Sequence, residues 1–363
     1  MKLLSPLLKH IVYPGLSKSG YVNRAHGTGL AVLTYHGVLP AEYKIVDPEL
    51  DGNLVSADSF RRQLRFLKDQ YNVISPEQFL LWSEAGHELP PRSVLLTCDD
   101  GLQNCLFEML PILQEFEIKC LFFVTGASLS RAPTMLWYEE LRLMFLAVSE
   151  TFSAELLALG LQVGASQQEK HLSWQDLIKK FSQYDLNRRK TLLRKLRTKL
   201  GLSEQWDFQY REDRALRRRF LVLNEFELHQ LTGAGMCIGA HTLSHPMLSQ
   251  SSPEEAWREI SQSKNDLERV LGQEIWALAY PFGDSSSVTS RELQMAKRAG
   301  FKGAFLNVGR AIGRQTPKFA LPRIHITAAM SLAEFAAHIS GFHRSLQELF
   351  GSTNLSAALG SNA

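Results

Sequence analysis

Leu95-Leu96-Thr97-Cys98-Asp99-Asp100-Gly101 is the stretch around which the chain is organised. An apolar run with strand character delivers two adjacent carboxylates, and a glycine then turns the chain. Adjacent acids at a strand end repel each other, so a fold that keeps both usually commits one to a metal or a proton. The same stretch also reads as a capped helix start, with Asp99 or Asp100 bonding the backbone of a helix that begins near Leu102. The surrounding chain decides between the two.

Upstream, Ala31-Val32-Leu33-Thr34-Tyr35-His36-Gly37 has the β-branched character of a strand ending in a polar turn. Ser56 to Gln70 offers a helix with Phe60, Leu64, Phe66 and Leu67 apolar, and Ser75-Pro76-Glu77-Gln78 is a helix start with proline first and Gln three after the cap. Downstream, Leu102 to Phe116 is amphipathic, with Leu106, Met109, Leu110 and Leu113 on one face, and Lys119 to Val124 is a strand. The alternation resumes after Phe226: a helix closing at Gly235, then the strand Met236 to Ala240. A helix opening at Ser252-Pro253 leads to the strand Ile275 to Tyr280, which ends at Pro281-Phe282-Gly283. A helix from Arg291 to Ala299, the strands Gly303 to Val308 and Ala320 to Ile326, and a final helix from Ser331 stopped by Gly341 complete the pattern. About seven strands, most followed by a helix, predict a parallel sheet or α/β barrel. Every informative polar cluster (His36, Asp99-Asp100, Thr125, His241, Pro281-Phe282-Gly283, Arg323) follows a strand's C-terminal end, the face where such barrels assemble chemistry.

The 363 residues, 45% hydrophobic and 21% charged, describe an ordinary soluble enzyme-like chain, and a net charge of +3 is too small to argue for nucleic acid. The charge is unevenly placed. Leu186 to Arg219 carries twelve Lys or Arg against four Asp or Glu, a net +8, which leaves the rest of the chain at −5. That run falls in a stretch from about 132 to 224 where strand signals vanish and helical spacing takes over. There Leu193, Leu196 and Leu200 form an apolar stripe behind a basic face of Arg188, Arg189, Arg194, Lys195 and Arg197. Such a face is usually solvated; the sharper reading is peripheral contact with anionic phospholipid or a pyrophosphate-linked substrate. The expected organisation is one barrel domain over 1–351 with this helical insertion, then a disordered tail over 352–363. The four cysteines form no C-x-x-C pair and are read as buried thiols suited to a reducing compartment. Pro6, Lys9 and His10 interrupt the apolar N-terminus as a signal peptide would not, so the expected location is cytoplasmic, at the inner membrane face if the basic insertion meets lipid.

Ile238-Gly239-Ala240-His241-Thr242-Leu243-Ser244-His245-Pro246 is the second decisive stretch. Two imidazoles four apart can converge on one cation if the backbone turns, although alone such a pair also fits a surface or capping role. With a carboxylate from another strand end they form a common site for Zn²⁺ or a similar divalent ion.

These motifs together resemble those of the polysaccharide deacetylases (the NodB-homology group, carbohydrate esterase family four). Thr97-Cys98-Asp99-Asp100-Gly101 is similar to the family's Thr-Phe-Asp-Asp-Gly, His241-Thr-x-x-His245-Pro246 to its His-Ser/Thr-x-x-His-Pro, and Tyr280-Pro281-Phe282-Gly283 to its third motif. The resemblance covers about 30–125 and 225–340 and implies a distorted (β/α)7 barrel. It further implies Asp100, His241 and His245 as metal ligands, Asp99 as catalytic base, Tyr280 and Phe282 at the substrate, and the Phe282 N–H as an oxyanion donor. Two departures stand out. Ala279 occupies the position where the family often carries Arg, for which Arg323 is the candidate replacement, and no Leu-Leu-His-Asp-like stretch supplies the usual general acid. His325 is the nearest candidate acid and His36 a candidate substrate contact, each with a structural alternative; Trp137 and Tyr138 fit a sugar platform or core packing. The expected activity is removal of an N-acetyl group from an amino-sugar glycan or lipid-linked precursor, with Zn²⁺. The alternatives are another acyl group, such as formyl, or a retired barrel that only binds glycan or a protein.

Overall fold

A computed structural model of the chain describes residues 8–18, 29–130, 134–147 and 167–349. The expected tail over 352–363, and residues 132–133 and 148–166 of the insertion, lie outside the described residues.

The strands are β1 (Ala31–Tyr35), β2 (Val38–Leu39), β3 (Val55–Ser56), β4 (Asn72–Val73), β5 (Ser93–Cys98), β6 (Leu121–Val124), β7 (Cys237–Ala240), β8 (Ala277–Ala279), β9 (Gly303–Phe305) and β10 (Ile324–His325). Seven of them form one parallel path, β10-β1-β5-β6-β7-β8-β9, with β4 paired to β5 outside it. The two ends of the path meet: Phe305 bridges Leu321, just before β10, and Leu306 N–H donates to Leu321 O at 2.7 Å. The sheet is thus curled into the expected barrel.

Side-chain parity explains how the barrel is filled and where it points its chemistry. On β5, Val94, Leu96 and Cys98 face outward into a large cluster with Leu64, Leu67, Met109 and Leu113 of the surrounding helices. Leu95 faces inward, joining Val32, Leu121, Phe123, Ala277, Ala279 and Phe305. A parallel sheet covered on both faces needs strands apolar at nearly every position, as β5 and β6 are. Gly239 of β7 is required by this interior, because a Cβ there would lie 2.6 Å from the Phe123 ring.

The outer helices follow their capping signals. They are α1 (Ala57–Gln70), capped by Ser56; α2 (Pro76–Ala85), with the Ser75/Gln78 capping box; α3 (Leu110–Glu115); and, from the insertion, α4 (Trp137–Ala147), α5 (Gln167–Ser182), α6 (Leu186–Lys199) and α7 (Arg214–Phe220). After it come α8 (Glu225–Gly233), α9 (Pro253–Leu271), α10 (Ser290–Arg298), α11 (Leu332–Ile339) and α12 (Phe342–Leu349). Two expectations need correction. α11 is capped by Ser331 and ends before Gly341 as expected, but it is not the final helix, since α12 follows. Nor does a helix begin at Leu102: the first turn, Cys105–Met109, is a π turn, and Gln103 N–H instead donates to Leu221 O at 2.8 Å.

That bond belongs to the seam where the insertion joins the barrel. Leu102 bridges Val222, Met135 bridges Leu221, and Leu223 N–H donates to Gly101 O. The insertion therefore starts and ends beside the aspartate pair. It has its own apolar cluster, including Trp137, Leu141, Phe145, Trp174, Phe181, Leu193 and Leu196. Buried ion pairs tie it down: Arg219 reaches Asp51 at 2.7 Å and Glu139 at 2.9 Å, and Arg142 reaches Asp47 at 2.9 Å. The expected basic face is consequently divided. Arg188, Arg194 and Lys195 are exposed, but Arg189 is buried against the barrel because its guanidinium finds carbonyl partners there.

Candidate active site

β5 ends where the backbone twists sharply. Asp100 has φ of +75° and Gly101 φ of +69°, left-handed values that swing the second carboxylate away from the strand's own parity. Asp100 Oδ1 comes to 3.5 Å from His241 Nε2 and 3.3 Å from His245 Nε2. One atom from each residue lies within 4.8 Å of the others, all three residues are buried, and Oδ1 has no hydrogen-bond partner. A tetrahedral ion with bonds of about 2.0–2.1 Å has donor atoms about 3.3–3.4 Å apart, which is the spacing of this carboxylate from the two imidazoles. An orphaned buried oxygen facing two ring nitrogens fits a divalent cation.

The imidazoles are prepared from behind. His241 follows β7, whose pairing continues through His241 N–H to Val124 O, and its Nδ1 bonds Ala279 O at 2.8 Å. A carbonyl can only accept, so Nδ1 carries the hydrogen and Nε2 presents its lone pair. His245 sits at φ of +57°, with its N–H on Thr242 Oγ1 at 3.0 Å; Thr242 is itself at φ of +65°. The next residue upstream, Ser244, is held by the Glu259 carboxylate through both its N–H and its hydroxyl. Burial opposes ionisation of Asp100, but the two histidines outweigh it and hold the carboxyl well below its ordinary range.

Asp99 keeps the inward parity of Leu95 and Thr97. Arg323 grips it with two parallel bonds, Nη1 to Oδ1 at 2.7 Å and Nη2 to Oδ2 at 2.6 Å. Arg323 is fully buried and is oriented by Thr97 Oγ1 and Leu306 O. Burial pushes the Asp99 carboxyl up, the guanidinium pulls it down, and the second effect prevails. Arg323, the candidate replacement for the arginine absent at Ala279, thus supplies the guanidinium beside Asp99.

His36 and His325 border this pair from β1 and β10. Their rings are 4.9 Å apart and edge-on, and His36 Nδ1 and His325 Nε2 are buried without partners. Burial, reinforced by His36, pushes His325 down to about 3, so its ring is neutral at neutral pH. Phe282, at φ of +61°, lays its ring 5.0 Å from His245. Tyr280 does not join the site. Parity along β8 turns it outward into the helix-facing cluster, where its hydroxyl donates to Phe319 O at 3.1 Å, so the expectation of a substrate contact is corrected.

Residues that spacing did not single out as site groups arrive from the insertion. Tyr138 Oη donates to Asp100 Oδ2 at 3.4 Å, with its ring 4.8 Å from that of His245. Trp137 Nε1 donates to His245 O at 3.1 Å, and Arg189 Nη1 to Ser244 O at 3.2 Å. The Trp137-Tyr138 pair was the only visible hint. Strain marks the same place: of the six non-glycine residues with positive φ among the described residues, Asp100, Thr242, His245 and Phe282 lie here.

The family model described as "Polysaccharide deacetylase" matches residues 86–151 and 217–304, the two halves that flank the insertion. YxkH of Bacillus subtilis (strain 168), named as a candidate polysaccharide deacetylase, is 26% identical over 117 residues, 32% of this chain and 41% of that protein. The aligned part therefore spans less than half the length of that relative. Among solved structures, Streptococcus pyogenes deacetylase PplD superposes with a TM-score of 0.53 at 20% identity, covering 86% of this chain and 98% of its own. IcaB from Ammonifex degensii gives 0.52 at 18% identity, covering 87% and 98%. At such identities the likeness is one of fold.

Proposed function

This chain belongs to the polysaccharide deacetylase family, a group of hydrolases acting on amide C–N bonds, and from that membership we propose that it removes an N-acetyl group from an amino sugar in a metal-dependent reaction. The observation that carries the reading is the convergence of Asp100 with His241 and His245 beside a guanidinium-paired Asp99.

Asp100, His241 and His245 would hold the ion. A bound divalent cation, most naturally Zn²⁺ for this donor set, would bring the pKa of its water towards about 7 and polarise the acyl carbonyl. Asp99 is placed as the base that would take a proton from the attacking water, and Arg323 keeps it ionised and aimed. A positioned base typically contributes about 10²- to 10⁴-fold. As the family resemblance implies, the Phe282 N–H would supply the oxyanion donor, a contact worth roughly 3–4 kcal/mol. The proton that Asp99 takes has to reach the departing amine, and His325, whose buried Nε2 has no partner in the fold, is the proposed group to deliver it. His36 lies at the substrate's edge.

The substrate is an N-acylated amino-sugar glycan or its lipid-linked precursor. A cavity of about 490 Å³ beside the His245 loop, lined by Leu136, Trp137, Leu193 and Ser244 and bordered by Lys190, supports a substrate with an apolar carrier. The exposed Arg188, Arg194 and Lys195 of α6 support peripheral contact with an anionic membrane from the cytoplasmic side. Among the described residues no helix is long and apolar enough to cross a membrane.

The test is a mass-spectrometric screen of free, nucleotide-linked and lipid-linked N-acetyl and N-formyl amino sugars with metal-loaded protein. Loss of an acetyl mass, abolished by Asp99→Asn and His241→Ala, is the expected result. If no divalent ion co-purifies or restores turnover, and neither substitution changes any output, the hydrolase reading fails.

A further inference from the structure

The insertion sends three side chains to the loops that carry the proposed ligands. Trp137 and Tyr138 open α4, and Arg189 lies in the first turn of α6. Tyr138 holds Asp100 by Oδ2, the oxygen that does not face the imidazoles. A carboxylate tethered at one oxygen loses the freedom to swing the other, so the lone pairs of Oδ1 stay aimed between His241 and His245. Trp137 holds the His245 carbonyl.

Arg189, 1% exposed, uses Nη1 for the carbonyl and hydroxyl of Ser244, at 3.2 and 2.8 Å, and anchors its remaining donors on Phe181 O and Tyr184 O. Its guanidinium also lies 4.9 Å from the Trp137 ring, which ties the two contacts together. The Thr242–His245 turn has two non-glycine residues in left-handed geometry, a conformation that persists only when its surroundings over-determine it. Trp137 and Arg189 supply that restraint from one side and Glu259 of α9 from the other.

We propose that Tyr138 is a positioning residue for the metal centre and that Trp137 and Arg189 hold its histidine loop, making the helical insertion a structural part of the ion site. This rests on the metal-dependent reading above. Groups that orient metal ligands are typically worth 10- to 100-fold in affinity.

The experiment strips the full chain with chelator and titrates it with Co²⁺ and Zn²⁺, following the Co²⁺ absorption bands and the melting temperature of the ion-free form. Tyr138→Phe is expected to weaken Co²⁺ binding about tenfold and shift its bands while the ion-free protein melts as wild type does. Trp137→Phe and Arg189→Lys are expected to weaken binding by several-fold. Affinities within twofold of wild type with an unchanged Co²⁺ spectrum in Tyr138→Phe and Trp137→Phe overturn the proposal, whatever happens to melting. A wild-type chain that takes up neither ion overturns the metal-dependent reading itself, a result separable from the first.

Discussion

Arg323 brings a full positive charge to a fully buried position, and both oxygens of Asp99 answer it. Breaking one side of such a pair leaves the other charge uncompensated, typically at about 3–5 kcal/mol. Asp99→Asn should therefore lose that much stability in urea unfolding as well as turnover, whereas His241→Ala should lose turnover with a smaller stability cost. Arg323→Gln separates the electrostatic role from the structural one. Asp99 is held low by Arg323 against the upward push of burial, so removing the guanidinium raises its pKa. The acidic limb of kcat/KM should then move to higher pH; an unmoved limb would show that Asp99 is not the group titrating there. Asp99, Asp100, His241 and His245 were legible because their spacing is local and follows strand ends. Tyr280 was misjudged although β8 is short and regular: counting outward from Ala279 places it on the helix side. The Arg323 pairing could be anticipated only from the small residue at 279, because nothing local links positions so far apart.

At the scale of elements, α4 and α7 are fastened to the Asp47–Asp51 segment by three carboxylates and two guanidiniums: Asp47, Asp51 and Glu139 against Arg142 and Arg219. One acid is in excess. Burial, which Arg219 only partly offsets, raises Glu139 to about 7, and its Oε2 has no partner. The native state therefore binds a proton that the unfolded chain releases above the ordinary value of 4.5, so this contribution is full below that pH and is lost as pH rises through about 7. Glu139→Gln removes the loss. The stability of the variant relative to wild type should improve by on the order of 3 kcal/mol between pH 5 and pH 8, given a raise from 4.5 to about 7. A pH-independent difference in urea midpoints would contradict this. Sequence periodicity identified the insertion as helical and basic but treated its arginines alike. Arg188 is exposed while Arg189 and Arg219 are buried, and only the partners, distant in sequence, distinguish them.

For the whole molecule, an ion held jointly by the ends of β5 and β7 would bind the native state and not the unfolded chain. At free ion about 100 times Kd this adds about 2.7 kcal/mol, and chelation should lower the Tm of a chain this long by roughly 3–4 °C. The His241→Ala chain should melt indifferently to chelator. The barrel and its strand count were legible from apolar runs ending in polar clusters; the strand lengths were not, because pairing ends wherever curvature carries neighbours apart, leaving β8 and β9 three residues each. The Asp99–Arg323 pair joins residues 224 apart, and Arg323 immediately precedes β10, which meets β1 through only Leu33↔Ile324 and Thr34↔His325. Contacts of such sequence separation are slow to form. A nascent chain emerging at roughly 5–20 residues per second must therefore hold Asp99 in an open trough until the closing strand appears. The seam that completes the proton-accepting group is also a narrow join of the sheet, two residue pairs wide. Amides there, such as Ile326 bonded to Thr34 O, should exchange with solvent sooner than those of β5, and turnover should fade with the seam before the barrel itself unfolds.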